Sequence, residues 1–206
     1  MESLKIFQIE KNNDDIRKTV LTNTIKMLTE RKLLKSENLE KNINDILSKV
    51  SDDYTYTINL DTDDADKIFA IKILNQKITA ISKQSNINSF LNKFQNNPKI
   101  IIVKAINTKA LQYIFSNYIK TEIFLESSLM INLVDHVFVP KYEILDKTSD
   151  DYKQFCDKYN VKKRQIPKLL KSDPIAKYYN LKKDDIVRIV RCSELSGLSP
   201  FYRIVI

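Results

Sequence analysis

The spacing of apolar residues along the first 134 positions predicts helices that alternate with strands. A helical period runs over residues 14–35, and Ser36 is a suitable N-terminal cap for a second helix directly after it. Residues 54–60 and 67–74 are rich in β-branched and aromatic side chains, which is typical of strands. The chain therefore opens with two helices followed by two strands.

The run Ile100-Ile101-Ile102-Val103 is continuously apolar, as in a strand buried on both faces. The same patterns predict two further helices, at residues 87–94 and 111–118, and two short strands, at residues 122–125 and 129–133. Helices that alternate with buried strands indicate an α/β domain with a central sheet over residues 1–134.

A smaller α+β unit is predicted over residues 135–206. Thr148 and Ser149 can cap a helix whose first turn carries acids, and the predicted buried stripe of that helix is Tyr152, Phe155, Cys156 and Tyr159. Asp173 before Pro174 is another helix start. Residues 186–191 and 201–206 alternate like two strands joined through a turn at Gly197, which supplies a positive φ.

Composition limits the function classes. The 206 residues carry a net charge of +8, which suggests a polyanionic neighbour. No apolar run approaches the roughly 20 residues of a membrane span, and the start of the sequence has no signal-peptide pattern, so we expect an intracellular protein without a membrane partner. The two cysteines, Cys156 and Cys192, are expected to be buried or half-buried thiols.

Charge is segregated along the chain. Residues 67–121 hold nine lysines and no acid. This stretch is either a solvated surface or a face that lies along a phosphate backbone, and the second reading predicts weak, nonspecific contact with double-stranded DNA. The DNA-facing candidates are Lys72, Lys77, Lys83, Lys93, Lys99, Lys104 and Lys109.

Catalytic chemistry is not indicated. His136 is the single histidine, and it has no recognisable catalytic partner. The Asp/Glu-x-Lys matches of a metal-dependent nuclease, at residues 30–32 and 151–153, fall on predicted helices rather than on a strand. Asp61, Asp63, Asp64 and Asp66 lack the spacing of a calcium loop. We therefore expect no catalytic residue, no metal site and no cofactor.

An ordered set of short motifs carries a resemblance in the last 72 residues. The motifs are His136 with Val139-Pro140-Lys141, Gln165-Ile166-Pro167-Lys168, Ser172-Asp173-Pro174-Ile175-Ala176-Lys177-Tyr178, Val187-Arg188-Ile189-Val190-Arg191, Ser193-Glu194 with Gly197, and Tyr202-Arg203. This block resembles the fifth, small subunit that the three eukaryotic nuclear RNA polymerases share, and its archaeal H-type counterpart.

Weaker similarity continues upstream. Residues 124–132 look like the segment before the shared block in eukaryotic members, and residues 17–20 and 30–32 are similar to the first helix there. The archaeal H-type protein lacks an N-terminal domain. The chain thus resembles the eukaryotic two-domain form, with an N-terminal jaw-like domain over residues 1–134 and a C-terminal assembly domain over residues 135–206.

The resemblance implies a structural role in transcription. The C-terminal domain would anchor to the largest polymerase subunit, alongside other subunits, and the N-terminal domain would form part of the lower jaw near downstream DNA. Nucleotide addition would belong to other subunits.

Within the C-terminal block, some residues are expected to fix the fold and others to contact a partner. The fold-fixing set is Pro140, Pro167, Asp173, Pro174, Gly197 and Tyr202, with Tyr178 and Ile204 in the core. The partner-binding set consists of the polar residues next to those points: Lys141, Arg164, Gln165, Lys168, Arg188, Arg191, Glu194 and Arg203.

Two positions depart from the family pattern. Where the family has a glycine before an acid this chain has Lys182-Lys183-Asp184-Asp185, and where the family has Arg-Tyr after Gly197 it has Leu198-Ser199. These departures leave the local turn and hairpin open. The divergent, Lys/Ile/Asn-rich sequence suggests a fast-evolving lineage such as a large DNA virus. Such a protein would act in viral factories in the cytoplasm and in virions, and a cellular member would be nuclear.

Two other function classes stay open at this point. The chain could be a free-standing basic nucleic-acid-binding regulator of transcription, for which salt-sensitive DNA binding by the isolated chain would be diagnostic. It could also be a nuclease, for which Mg²⁺-dependent cleavage would be diagnostic.

Overall fold

The structure is a computed structural model that describes residues 12–48, 54–60, 68–79, 86–193 and 197–206. Two units emerge from its internal packing, Met1–Ile131 and Asn132–Ile206. The elements of the first unit are α1 (Asn13–Glu30), α2 (Leu39–Ser48), β1 (Thr55–Asn59), β2 (Ile68–Ile78), α3 (Asn86–Lys93), β3 (Lys99–Ile106), α4 (Thr108–Asn117), β4 (Thr121–Leu125) and α5 (Glu126–Leu129).

The first unit is built on a four-stranded sheet in the order β1-β2-β3-β4. β1 runs antiparallel to β2, while β2, β3 and β4 are parallel, with α3 and α4 as the crossovers. The predicted run from Ile100 to Val103 lies in the interior strand β3, and all four residues are fully buried. The prediction of a mixed α/β unit with a buried central strand is therefore confirmed.

The two faces of this sheet are covered differently. Ile101 and Val103 pack with apolar residues of α3 and α4 on one face. The opposite face carries Glu122, which lies beside Ile100 in the register of β3 and β4. Glu122 accepts two hydrogen bonds from Arg31, the residue that follows α1. This bidentate ion pair ties the end of α1 to the sheet.

α1 is shorter than the apolar period predicts. It ends at Glu30 rather than at residue 35, because Lys32 has a left-handed φ of 59° and the Leu33 N–H donates to the Leu28 carbonyl. This is the closing geometry of a Schellman motif, which satisfies a carbonyl at the helix end. The apolar residues beyond Glu30 therefore belong to the turn.

The strand predicted at residues 129–133 is wrong. Leu129 closes α5, and residues Leu133–Asp135 form a short 3₁₀ helix. The Leu129 carbonyl accepts a hydrogen bond from the Asn23 side chain at 2.8 Å, so α1 holds this segment as a helical turn. The alternation of apolar residues alone could not distinguish a short strand from a one-turn helix at this place. Over so few residues, either element can bury a single side chain.

The second unit contains β5 (Lys141–Leu145), α6 (Asp150–Tyr159), β6 (Lys168–Leu169), α7 (Pro174–Tyr178), β7 (Ile186–Ser193) and β8 (Gly197–Val205). The sheet order is β5-β7-β8-β6, in which β7 runs antiparallel to both β5 and β8, and β6 runs parallel to β8. The predicted strands at residues 186–191 and 201–206 are confirmed as β7 and β8. β5 is an element that the sequence patterns did not reveal.

Both faces of this sheet are buried near its centre. On the first face, Ile186 and Ile204 pack with Phe155 of α6 and with Ile166. On the second face, a separate cluster is formed by apolar residues of the strands, of α7 and of the loop that follows it: Leu169, Ala176, Leu181, Val187, Ile189 and Val205. Tyr178 and Ile204 are buried as expected.

The buried stripe predicted for α6 is largely wrong. Phe155 alone in that set is buried, Tyr152 is half-buried, and Tyr159 is 40% exposed while it packs on Tyr202. Cys156 is exposed, and so is Cys192, which contradicts the expectation of buried thiols. The sheet under α6 is small, so the helix packs on it along a narrower line than helical periodicity suggests.

The two helix starts predicted in the second unit are confirmed, whereas the prediction that Ser36 caps α2 is wrong. Ser36 is instead the first residue of a 3₁₀ turn, Ser36–Asn38, that precedes α2. The Ser149 hydroxyl accepts from the Tyr152 N–H at 3.3 Å, and an Asp173 carboxylate oxygen accepts from the Ile175 N–H at 2.9 Å. Pro174 occupies the first turn of α7. The turn at residues 182–185 departs from the family pattern, as noted above. Asp184 in this turn has a left-handed φ of 69°, a conformation that glycine adopts most easily.

Candidate partner-binding surface

The β7–β8 hairpin carries three of the eight polar candidates, Arg188, Arg191 and Arg203. β5 pairs with β7 only as far as Val190, whereas the hairpin continues to the Ser193–Gly197 pair. The far end of the hairpin therefore extends beyond its neighbouring strand. Gly197 has φ of 65°, as the sequence predicted for a turn glycine, and Glu194 lies outside the described residues.

A row of paired residues crosses the first face of the sheet. Glu143 lies opposite Arg188, and Arg188 lies opposite Tyr202. Arg188 Nε donates to a Glu143 carboxylate oxygen at 2.6 Å, and Lys141 Nζ approaches the other oxygen at 3.2 Å. The hydrogen bond from Arg188 lowers the pKa of Glu143, and the same bond raises the pKa of Arg188. Arg188 thus has an internal structural partner.

Tyr202 completes this row with an aromatic cluster. Its ring lies 4.5 Å from Phe155 and 5.3 Å from Tyr159 between centroids. Beside the cluster is a small cleft of about 250 Å³, lined in part by Lys158, Arg188 and Pro200. Tyr202 is half-buried, so part of its side chain contacts solvent while the rest packs in the cluster. This is in keeping with a fold-fixing role.

The second face carries a different group of residues. Arg191 lies 5.2 Å and Arg203 lies 5.6 Å from the centroid of the Phe201 ring, measured from the guanidinium carbon. Tyr142 of β5 is half-buried on the same face, where it packs against the second core cluster. Burial raises the pKa of the Tyr142 hydroxyl, and Asp173 raises it further, while Arg203 and Arg191 lower it. Both guanidinium groups are therefore within electrostatic reach of that hydroxyl.

The remaining candidates lie apart from the hairpin end. Arg164 and Gln165 are exposed in a 3₁₀ turn, where the Gln165 side-chain oxygen accepts from the Lys162 N–H at 2.8 Å. Lys168 is exposed in β6, and the carbonyl of Pro167 just before it accepts from the Ile204 N–H. Pro140 is half-buried directly before β5. The candidate set therefore divides between the hairpin with its neighbour β5 and the segment around β6.

Two of the predicted DNA-facing lysines are buried, which corrects the sequence prediction. Lys72 is 1% exposed in β2, where its ammonium lies near the Thr55 hydroxyl and over the Phe90 ring. Lys99 is fully buried at the start of β3. Neither can reach a phosphate backbone. Their strands are interior to the sheet, and the even spacing of lysines along the chain did not reveal which ones fall there.

Lys99 instead bonds to backbone carbonyls. Its Nζ lies 2.9 Å from the carbonyl oxygen of Phe94 and within 3.5 Å of those of Gln95, Asn97 and Ile119. Phe94 and Gln95 directly follow α3, so the ammonium satisfies carbonyls at that helix end. Burial, and next the neighbouring Lys120 charge, lower the pKa of Lys99.

Four of the other predicted DNA-facing lysines are exposed: Lys77, Lys93, Lys104 and Lys109. Lys83 lies outside the described residues, as do the acids Asp61, Asp63, Asp64 and Asp66. Within the described ranges, no group of three or more His, Cys, Asp or Glu side chains could hold a metal ion. No helix there combines the length and the apolar character that crossing a membrane requires.

Three residues of the surface were missed from the sequence: Tyr142, Glu143 and Phe201. Glu143 and Tyr142 lie in β5, which was not predicted. The available signal was weak, since Lys141-Tyr142-Glu143-Ile144-Leu145 alternates over only five positions. Phe201 was assigned to a strand, but its place between two arginines follows from the register of β7 and β8.

Comparison with known proteins supports the resemblance. A sequence model of the family described as RNA polymerase Rpb5, C-terminal domain, matches residues 131–205. DNA-directed RNA polymerase subunit 5 of Acanthamoeba polyphaga mimivirus is 34% identical over 206 residues, covering 98% of this chain and 97% of the relative.

Cellular relatives match smaller parts. The subunit RPABC1 of DNA-directed RNA polymerases I, II and III of Caenorhabditis elegans is 28% identical over 162 residues, covering 75% of this chain and 73% of the relative. Subunit Rpo5 of the DNA-directed RNA polymerase of Methanocaldococcus jannaschii is 37% identical over 76 residues, covering 37% of this chain and 95% of the relative.

Proposed function

Because this chain belongs to the RNA polymerase subunit 5 family, we propose that it is a noncatalytic subunit of a multisubunit DNA-directed RNA polymerase. The single observation that carries the proposal is the 34% identity to the mimivirus subunit along nearly the whole of both chains. Nucleotide addition would then take place in other subunits. The polymerase relatives do not favour a free-standing regulator.

The two parts of the chain would have separate roles. Residues 135–206 would form an assembly domain that anchors to the largest subunit. In support, the archaeal relative is aligned over 95% of its length with only 37% of this chain, and the matched family domain covers residues 131–205. A relative that consists almost entirely of this block supports its role as an independent module.

Residues 1–134 would form the jaw-like domain beside downstream DNA. Support comes from charge: no acid occurs in residues 67–121, and Lys77, Lys93, Lys104 and Lys109 are exposed in that stretch. Exposed lysines attract phosphates through a sequence-independent, salt-sensitive interaction. The contact would be weak and nonspecific, since phosphate contacts carry no sequence information by themselves.

The full-length similarity to a mimivirus subunit also favours a viral origin for the chain. The polymerase would then work in cytoplasmic viral factories and be carried in virions. In a cellular source it would be nuclear.

The proposal is tested by affinity purification of the tagged full chain from its native source, at moderate salt and after nuclease treatment. We expect the two largest polymerase subunits to be recovered in amounts equal to the chain. The nuclease step removes proteins bridged only by nucleic acid. Recovery of the chain alone would refute the subunit assignment.

The division of roles is tested in the same system with two fragments. Residues 135–206 should be incorporated into the polymerase, and residues 1–134 should not. Incorporation of the N-terminal fragment instead would reverse the assignment of the anchor. Circular dichroism of each purified fragment would establish that a failure to incorporate does not come from unfolding.

A further inference from the structure

Arg191 and Arg203 share one aromatic neighbour, and no described carboxylate pairs with either of them. The salt-bridged arginines are Arg17 with Asp14, Arg31 with Glu122, and Arg188 with Glu143. Arg191 and Arg203 have the Phe201 ring as their common neighbour instead. Two positive charges therefore lie beside the Phe201 ring on the second face, and no described carboxylate forms an ion pair with either of them.

Arg203 carries an additional unsatisfied group. Its Nε is buried and, among the described residues, has no hydrogen-bond acceptor. A buried donor that lacks an acceptor destabilises the free protein, so such groups in native structures call for an explanation. A binding partner would supply that acceptor once the half-buried Arg203 side chain turns outward, because the Nε in its present position is shielded from solvent.

The surroundings resemble the centre of a protein interface. Phe201 is 37% exposed, Tyr142 and Arg203 are half-buried, and Arg191 is exposed. Arginine and aromatic residues dominate the energetically important centres of such interfaces. Asp173, which is within electrostatic reach of Tyr142, already accepts the capping hydrogen bond from Ile175.

We propose that Arg191, Phe201 and Arg203 form an anchor for a carboxylate side chain, Asp or Glu, of another polymerase subunit. This inference rests on the proposed function and selects two cations from the eight partner-binding candidates. The planar guanidinium fork matches a carboxylate in two parallel hydrogen bonds. The Phe201 ring would exclude water from the ion pair and so strengthen it.

A protein partner fits this surface better than nucleic acid does. A phosphate backbone is bound by rows of exposed cations, and the described chain has exposed lysines of that kind in its first unit. The anchor has two guanidinium groups around one ring, next to half-buried tyrosine. That arrangement suits a single acidic side chain entering from a folded or extended partner segment.

The test uses the full chain with Arg191→Gln and Arg203→Gln together, co-expressed with the other subunits of its polymerase. We expect at least a tenfold loss of the variant from the purified polymerase. The thermal unfolding midpoint of the free variant should stay close to that of wild type, because neither arginine forms an ion pair within the described chain. The matched control is Lys171→Gln with Lys183→Gln, which removes the same charge from exposed positions and should leave incorporation unchanged.

A second variant gives a direct readout. Arg203→Lys keeps the charge and introduces an amine, which a zero-length carbodiimide cross-linker joins to a neighbouring carboxylate. A cross-link from position 203 to an Asp or Glu of another subunit supports the anchor. Incorporated chain without a cross-link at this position overturns it.

The outcomes separate the two proposals. Recovery of the double variant at the wild-type level, with wild type incorporated, overturns the anchor and leaves the subunit assignment standing. An equal loss in the control would also overturn it, since general positive charge would then explain the binding. Failure of wild type to incorporate would overturn both.

Discussion

At the scale of single residues, burial separates side chains that the sequence presents as equivalent. Lys99 and Lys104 lie five residues apart in the same acid-free stretch, yet Lys99 is buried against carbonyls and Lys104 is exposed. A buried ammonium is tolerated only when it is well hydrogen-bonded. Its sequence context gives no sign of this, because the carbonyls come from backbone folded around it.

We expect Lys99→Met to destabilise the protein by about 1–3 kcal/mol, because the carbonyl of Phe94 and its neighbours lose their donor. The loss should also depend on pH. The folded-state pKa of Lys99 lies below its ordinary value of 10.5, so the unfolded chain binds more protons between the two values. Wild-type stability relative to the variant should therefore rise as pH increases through that window.

The measurement is urea denaturation of both proteins at neutral pH and at pH values approaching 10.5. The other titrating groups are common to both proteins, so the difference isolates Lys99. Lys104→Met is the matched control on the same strand, and it should change the free energy of unfolding by less than about 0.5 kcal/mol at every pH. A difference that stays constant with pH would contradict the lowered pKa.

The Arg31–Glu122 pair leads to a second prediction. The Arg31 side chain is 4% exposed and donates to both Glu122 oxygens, at 2.9 and 2.8 Å. Glu122→Gln keeps the shape but leaves a buried guanidinium without its counterion, which should cost about 3 kcal/mol. Denaturant titration measures this directly.

The contrasting variant is Asp14→Asn, which removes the more exposed Arg17–Asp14 pair at the start of α1. Its effect should stay within about 1 kcal/mol, as for surface ion pairs generally. Similar losses in the two variants would mean that burial does not govern the strength of these pairs.

At the scale of elements, the caps of α6 and α7 were predicted correctly from the sequence, whereas the buried stripe of α6 was not. Ser149 and Asp173 cap their helices as predicted, since a cap depends on one side chain and the N–H groups next to it. The stripe of α6 depends on how much sheet the helix covers. That is a property of the partner element, and Cys156 and Tyr159 remain at the surface for this reason.

The α7 cap can be tested by substitution. Asp173→Ala removes the acceptor for the Ile175 N–H and should lower stability by about 1 kcal/mol. Asp173→Asn keeps an oxygen acceptor and should lose much less. Thermal unfolding of the full chain distinguishes the two, and equal losses would assign the effect to the charge of Asp173 rather than to capping.

At the scale of the whole molecule, the exposed lysines of the first unit are the group to test for DNA contact. Changing Lys77, Lys104 and Lys109 together to Glu should weaken retention of template by the assembled polymerase without preventing incorporation. The slope of log affinity against log salt should become shallower by about one for each phosphate that is no longer bound. Filter binding across a salt series measures both quantities.

The control reverses three exposed lysines of the second unit, Lys158, Lys162 and Lys171, for the same change in charge. Template retention should then stay at the wild-type level. If the first variant retains template as well as wild type does, the DNA-facing role of residues 67–121 is wrong.

The sequence by itself determined the properties that depend on neighbours along the chain. These local patterns are the caps of α6 and α7, the turn at Gly197, the doubly buried strand around Ile101 and the ordered motifs of residues 135–206. They sufficed to predict the fold class and the family. Resemblance added the role of a polymerase subunit, which composition and spacing alone could not have supplied.

Only the tertiary structure decided which polar residues are available. Strand register pairs Glu143 with Arg188 and sets Phe201 beside Arg191 and Arg203, while the sheet interior removes Lys72 and Lys99 from the surface. The Glu143–Arg188 pair joins residues 45 positions apart in the chain. Burial and pairing are properties of the packed chain, so residue type and spacing cannot specify them.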